Sequence, residues 1–183
     1  PIRPRPGIRI LCPMPKVLIA GGGVHGTFLS HALTRTGAID SDDITVIDPH
    51  PEPLAVWYRQ TRATGMSHLR SPSSHNLDLD FHALRAYARR RDIANAVPAG
   101  PLFIPPYARP ALELFNGHVR EIIESNGLSR MRHGGRITDV DAGSDSVSVR
   151  TESEVLSADF LILSVGRTEM PHRPPWARGA THD

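Results

Sequence analysis

The chain of 183 residues has a single cysteine, Cys12, so it can form no internal disulfide and cannot build a thiolate metal site from its own side chains. It has no unbroken apolar run of the length a membrane span requires. A formal net charge of +2, with 10 histidines, is too small to point to a nucleic-acid surface. Lysine is almost missing, Lys16 being the only one among 21 basic residues, and this arginine bias is read as coding composition. The densest cluster, Arg89-Arg90-Arg91, reads as the solvated end of a helix, where cations meet the negative end of the dipole. No internal repeat is visible. The proline-rich leader Pro1 to Pro15 has no apolar segment of the secretory kind, so it is expected to be a disordered extension, with Met14 as the natural start and the cytoplasm as the default location. The length suits one domain with a sizeable core, or one domain plus a fragment of another; the domain is expected over residues 16–178, followed by a short tail, 179–183.

What is present is concentrated near the start. Val17 to Ala20 is a short apolar run that reads as a buried parallel strand, and it leads directly into the amide-rich turn Gly21-Gly22-Gly23-Val24-His25-Gly26, a G-x-G-x-x-G fingerprint. Phe28, Leu29, Ala32 and Leu33 then recur at helical spacing, with Gly37 as the C-terminal cap. Ile44 to Asp48 is a second strand that ends in a carboxylate. In a dinucleotide site Gly21 permits the tight turn, Gly23 lets the backbone approach a pyrophosphate, and Gly26 lets the helix pack on the strand. The helix N-terminus holds the phosphates, and Asp48 accepts hydrogen bonds from the adenosine ribose. The charge of Asp48 would repel a 2′-phosphate, which argues against NADP at this turn.

Further along, the prolines from Pro49 to Pro53 mark a loop, Leu54 to Tyr58 a short helix, and Thr61 to Pro72 a segment without periodicity. Met66, Leu69 and Arg70 in that segment are candidate cofactor contacts, the first two by packing on a ring and Arg70 through its guanidinium. A helix is expected from Asp80, with Phe81, Leu84, Tyr87 and Ala88 on one face, and another over Ala111 to Asn126. Gly135 to Val140, Ser146 to Thr151 and Val155 to Ser157 alternate with period two and read as short strands. Ile137, in the first of these, is also a cofactor-binding candidate. Phe160 to Gly166 reads as a fully apolar central strand ending in glycine, which places Gly166 near the ligand. The fold class is therefore α/β: a Rossmann-like parallel sheet with helices and a small antiparallel β insert.

His68, His75 and His82 recur every seven residues, but Pro72 prevents one helix from aligning them and no carboxylate or cysteine completes a ligand set. No metal site is expected. Ser73 and Ser74 lack the glycine-flanked elbow of a nucleophile, and no catalytic residue is assigned.

The fingerprint at Gly21 to Gly26, the acid Asp48 and the late Leu161-Ile-Leu-Ser-Val-Gly166 together resemble the FAD-binding half of the two-dinucleotide-binding-domain flavoproteins, which include flavin monooxygenases and disulfide reductases. Within that superfamily His68-Leu-Arg-Ser-Pro72, the helix after Pro105 and Pro174-Pro-Trp176-Ala are similar to the FAD/NAD(P)-binding relatives of the monooxygenases that N-hydroxylate ornithine and lysine. The resemblance spans residues 16 to 178 and departs at two places, with Asp48 where glutamate is more frequent and Ser30 where alanine or glycine is. It implies FAD at the first site and NAD(P)H as reductant of the complete enzyme, held by a second fingerprint that does not occur after Gly26. The chain is thus expected to be the FAD-binding portion of a flavin-dependent oxidoreductase acting on a small-molecule substrate. Self-association, or a partner chain supplying the second domain, is expected around Trp176. The alternative is a non-catalytic module that binds FAD or NAD for a partner chain.

Overall fold

A computed structural model describes residues 16–90, 100–166 and 174–177. The expected leader, the residues after Arg90 up to 99, and most of the segment after Gly166 lie outside the described residues.

Four short strands form a parallel sheet in the order β5-β2-β1-β9: β1 is Val17–Ala20, β2 Ile44–Asp48, β5 Arg132–Gly134 and β9 Phe160–Leu163. β1 is buried at all four positions because it has a strand on each side and a layer on each face, which is why its sequence is continuously apolar rather than alternating. Its side chains still divide by parity. Val17 and Ile19 join the helix-side core with Ile44 and Val46, while Leu18 joins Ile47, Val147, Val149 and Ala158 in a second cluster on the other face. That other face is covered by the three-stranded antiparallel sheet of β6 (Ile137–Ala142), β7 (Val147–Thr151) and β8 (Val155–Ala158).

The helical layer consists of α1 (Val24–Arg35), α3 (Ala83–Arg90) and α4 (Leu112–Ser125), with α2 (Ala55–Ala63) following the loop after β2. A small hairpin, β3 (Phe103–Ile104) with β4 (Arg109–Pro110), precedes α4. α1 ends as its sequence predicts, with Gly37 at φ +69° and the amides of Gly37 and Ala38 bonded back to Thr34 and Leu33. The contact face of α1 differs from the one read from spacing. Its buried residues are Gly26, Thr27, Ser30 and His31, while Phe28, Leu29 and Leu33 are partly buried on its flanks. A helix that approaches a sheet closely puts small residues at the contact and large ones beside it.

Three other expectations are corrected. The helix expected from Asp80 starts at Ala83, and Phe81 is 67 % exposed rather than on the apolar face. The cause is a run of carbonyl and carboxylate oxygens that capture nearby amides: Asn76 accepts from Asp78, Asp78 from Asp80, and Asp80 from His82. The strand expected from Gly135 starts at Ile137 and is preceded by β5, whose three residues are too few to show a period. Among the described residues β9 is an edge strand, not a central one, with Phe160 58 % and Leu163 66 % exposed despite its apolar sequence.

Candidate functional site

The sheet order places β2 on one side of β1 and β9 on the other, so the order of parallel strands steps away from β1 in opposite directions. In open α/β sheets the crevice at the carboxyl ends of strands at such a reversal is where ligands bind. Gly21 to Gly26 lies at that end of β1, and Ser164 immediately follows β9 beside it.

The glycines of the turn are required for different reasons. Gly21 has φ +104°, and a Cβ there would stand 2.6 Å from the carbonyl oxygen of Ser164. A Cβ on Gly26 would overlap the carbonyl of Gly21 and lie 2.8 Å from Ser164 Oγ, so Gly26 is what allows α1 to seat on the end of β1. Gly22 is in contact with the guanidinium of Arg132, which a Cβ would overlap. Gly23 meets nothing within 4 Å among the described residues. No described residue requires a glycine at this position, and the space a side chain would enter is open among them, as it must be if a ligand is to come close to the backbone.

The turn's own hydrogen bonds are mostly used to hold its shape. Gly21 N donates to Ile47 O at 2.8 Å, and Gly22 O accepts from Leu54 N at 2.9 Å and Thr27 Oγ1 at 3.3 Å. Ser164 N and Oγ donate to Ala20 O, and Oγ also donates to Gly21 O at 3.0 Å. The first hydrogen bond inside α1 is from Thr27 N to Gly23 O, so the amides of Val24, His25 and Gly26 have no partner within the helix. Gly23 caps α1 without a side-chain hydrogen bond, and no acidic residue stands in the first turn. The positive end of the dipole therefore faces the open space with its charge uncancelled.

Asp48 closes the other side. Its Oδ2 accepts from Gly22 N at 2.6 Å and its Oδ1 from His50 N at 2.8 Å, which ties the acid both to the turn and to the loop after β2. Arg132, arriving on the neighbouring strand β5, has its Nη2 3.8 Å from Asp48 Oδ1 and donates to His50 O. Its side chain is only 9 % exposed, and Nη1 has no hydrogen-bond partner among the described residues. Burial pulls the guanidinium below its ordinary pKa, and the adjacent Asp48 pulls it back up.

The structure thus brings Gly21, Gly22, Gly23, Val24, His25, Gly26 and Asp48 together as the sequence predicts, and puts Gly166, at φ +63°, two residues beyond Ser164. The remaining candidates have other positions. Leu69 is 4 % exposed in the helix-side core, with its amide on Pro110 O; Met66 packs partly buried on the same core, and Arg70 is exposed. Ile137 packs partly buried against the cluster beneath the antiparallel sheet. Two residues of the turn's support were not read from sequence. Ser164 could have been noticed as the polar residue that interrupts an apolar run; Arg132 carries no such signal, since it lies in a strand of three residues. Of the three spaced histidines, His68 is engaged by Ser67 Oγ and Pro101 O, and no group of three potential metal ligands occurs among the described residues.

The fold is that of a Rossmann-type α/β protein, and this turn at the carboxyl end of β1 is its candidate site. The chain belongs to the FAD-NAD(P)-binding family, whose model matches residues 18–168. Searched against proteins of curated function, the sequence has no match. Its fold is similar to that of cyclohexanone monooxygenase from Rhodococcus sp. Phi1, a variant solved with NADP+, at a TM-score of 0.58 and 15% identity over 87% of this chain and 28% of that one. It is similar also to OTEMO in complex with FAD and NADP, at a TM-score of 0.56 and 15% identity over 89% of this chain and 28% of that one. A third similar structure is the bacillithiol disulfide reductase Bdr from Staphylococcus aureus, at 0.51 and 17% identity over 83% of this chain and 38% of that one. The chain thus spans between 28% and 38% of the length of these proteins. No helix among the described residues is long and apolar enough to cross a membrane.

Proposed function

We propose that the chain is the FAD-binding portion of a flavin-dependent oxidoreductase of the monooxygenase type, with the NAD(P)H-binding portion supplied elsewhere. The observation that carries this reading is the open space at Gly23, flanked by the uncapped start of α1 on one side and Asp48 on the other. A pyrophosphate suits that space, because three amides with no partner within the helix converge on it and nothing acidic stands in the first turn. An adenosine ribose suits Asp48, whose two oxygens each retain acceptor capacity beyond the one amide that they bind.

Gly21, Gly23, Gly26 and Asp48 would hold FAD, with Val24 and His25 contributing backbone amides and Gly166 approaching from the β9 side. When bound, the isoalloxazine supplies the redox chemistry. The chain's own part is to orient the dinucleotide along the sheet's edge. Of the structures it is similar to, one is in complex with FAD and NADP and another is bound to NADP+, and both are about three times as long, which supports a separate reductant site in the complete protein. The finer placement beside the ornithine- and lysine-hydroxylating enzymes rests on the segment His68 to Pro72, the helix after Pro105 and the segment Pro174 to Ala177. The exposed apolar residues Phe160, Leu163 and Val165, with the ≈ 960 Å³ groove between β9 and the antiparallel sheet, support burial of this edge by a second copy or by the portion that carries the reductant.

The test is the absorbance of the purified chain. Flavin bands at about one equivalent, bleached by dithionite and only slowly by NADPH, are expected. Protein that binds no FAD in equilibrium dialysis would end the reading, and fast saturable NADPH oxidation would show that the reductant site lies within this chain.

A further inference from the structure

We propose that Arg132 balances the charge of Asp48, so that this site accepts an adenosine ribose carrying a 2′-phosphate about as well as one without it. The inference rests on the dinucleotide reading of the Gly21 to Gly26 turn and changes what that turn selects. A lone carboxylate at the end of β2 would repel a 2′-phosphate. Here the carboxylate is not alone: Arg132 Nη2 is 3.8 Å from Oδ1, and the two side chains are 9 % and 13 % exposed, so solvent screens them little. Both Asp48 oxygens also accept from backbone amides, which spreads the negative charge toward Gly22 and His50.

The register explains why the pair forms. β5 runs parallel to β2 with Arg132 opposite Val46 and Gly134 opposite Asp48, so the long arginine side chain reaches along the strand to the acid two positions on. It comes to rest against Gly22, which explains the glycine at a position where the fingerprint does not demand one. Its Nη1 is a buried, charged donor with no partner among the described residues. Sealed against Gly22, it adds positive charge beside the acid without itself reaching a ligand. A ligand at this end therefore meets a nearly neutral pair, not an isolated negative charge.

The experiment uses the full 183-residue chain freed of any flavin, with FAD, 5′-AMP and adenosine 2′,5′-bisphosphate measured by equilibrium titration. The last two differ only in the 2′-phosphate. In the unaltered chain their affinities should agree within about threefold, Arg132→Met should weaken the bisphosphate against AMP by about tenfold, and Arg132→Lys should restore most of the ratio. Asp48→Asn should move the ratio about tenfold the other way, and it serves as the decisive variant if Arg132→Met fails to fold. A purely structural Arg132 would weaken all three ligands together and leave the ratio where it was, which overturns the proposal. FAD binding with strong rejection of the bisphosphate by the unaltered chain would overturn it as well, while leaving the dinucleotide reading intact. Binding of none of the three would overturn both.

Discussion

At the start of α1 the amides without partners in the helix face open space, whereas one to two turns further along the same helix unpaired polar groups are sealed inside. The amides of Val24, His25 and Gly26 lack partners within the helix and lie beside the opening at Gly23. His31 is 1 % exposed, yet neither of its ring nitrogens has a partner among the described residues; His118, facing the same layer from α4, is 3 % exposed with Nδ1 unpaired. The chemistry of the missing hydrogen bond is the same in both regions. What differs is access, and access decides consequence: open donors can be completed by a ligand, while sealed imidazoles can respond only to protons.

The largest effect should come from joining the two regions at their boundary. Gly26→Val would force a branched side chain against Ser164 Oγ and into the backbone carbonyl of Gly21, and the carbonyl cannot yield without moving the turn at the end of β1. We expect a loss of several kcal/mol, on the order of 4 or more, visible as failure to give a cooperative urea transition. A well-folded variant would mean that α1 does not seat on the strand as described.

Gly23→Val separates ligand from fold. Because no described residue stands within 4 Å of that position, the unfolding midpoint should hardly change, while FAD affinity should drop at least about a hundredfold, the effect of losing close approach to the phosphates. Equal FAD affinity with equal stability would show that the open space is not where the dinucleotide lies. The contrast with Gly26→Val tests the comparison directly, since two glycines of one fingerprint should fail in opposite ways.

The difference between those glycines also shows how far the sequence could be read. The βαβ unit was legible residue by residue because each part depends on local chemistry: apolar continuity for β1, glycines for the turn, Gly37 for the helix end and a carboxylate at the end of β2. The layer around it was less so. The start of α3 depends on a chain of side-chain hydrogen bonds from Asn76 to His82, and the face of α1 depends on how closely the sheet is approached; neither has a period. Arg132 and Ser164 are distant in sequence from the turn that they brace, and only the strand order brings them to it. The exposure of Phe160 and Leu163 follows from edge position, which an apolar run cannot reveal.

Ser164→Ala should have an intermediate effect. It removes a hydroxyl that donates to Ala20 O and Gly21 O but leaves the backbone bond from Ser164 N to Ala20 O in place. The expected cost is about 1 kcal/mol of stability, with a FAD affinity weakened by no more than about tenfold, because the turn loses a brace and not a contact with the ligand. A change in affinity as large as that of Gly23→Val would make Ser164 a ligand contact.

At neutral pH the sealed imidazoles should be silent, and they should act only in acid. Burial lowers the pKa of both His31 and His118 below the ordinary 6.5. For His31 the nearby Asp78 opposes the shift and Arg35 adds to it; for His118 Asp78 and Glu121 oppose it, while Arg90 and His31 add to it. In the unfolded chain both rings protonate as the pH falls through about 6.5, whereas in the folded chain they stay neutral to lower pH. The unfolded state then binds more protons, so stability is constant above that value and declines from it down through the lowered folded pKa. Urea midpoints measured from pH 8 to 5 will include carboxylates too, and the readout is therefore the difference between the unaltered chain and His31→Leu with His118→Leu. The paired variant should lose less stability between pH 7 and 5 than the unaltered chain does, whatever its stability at pH 7. Parallel profiles would mean that the two rings find proton partners in the folded protein, and that the helical layer is no more closed to protons than the turn is to ligands.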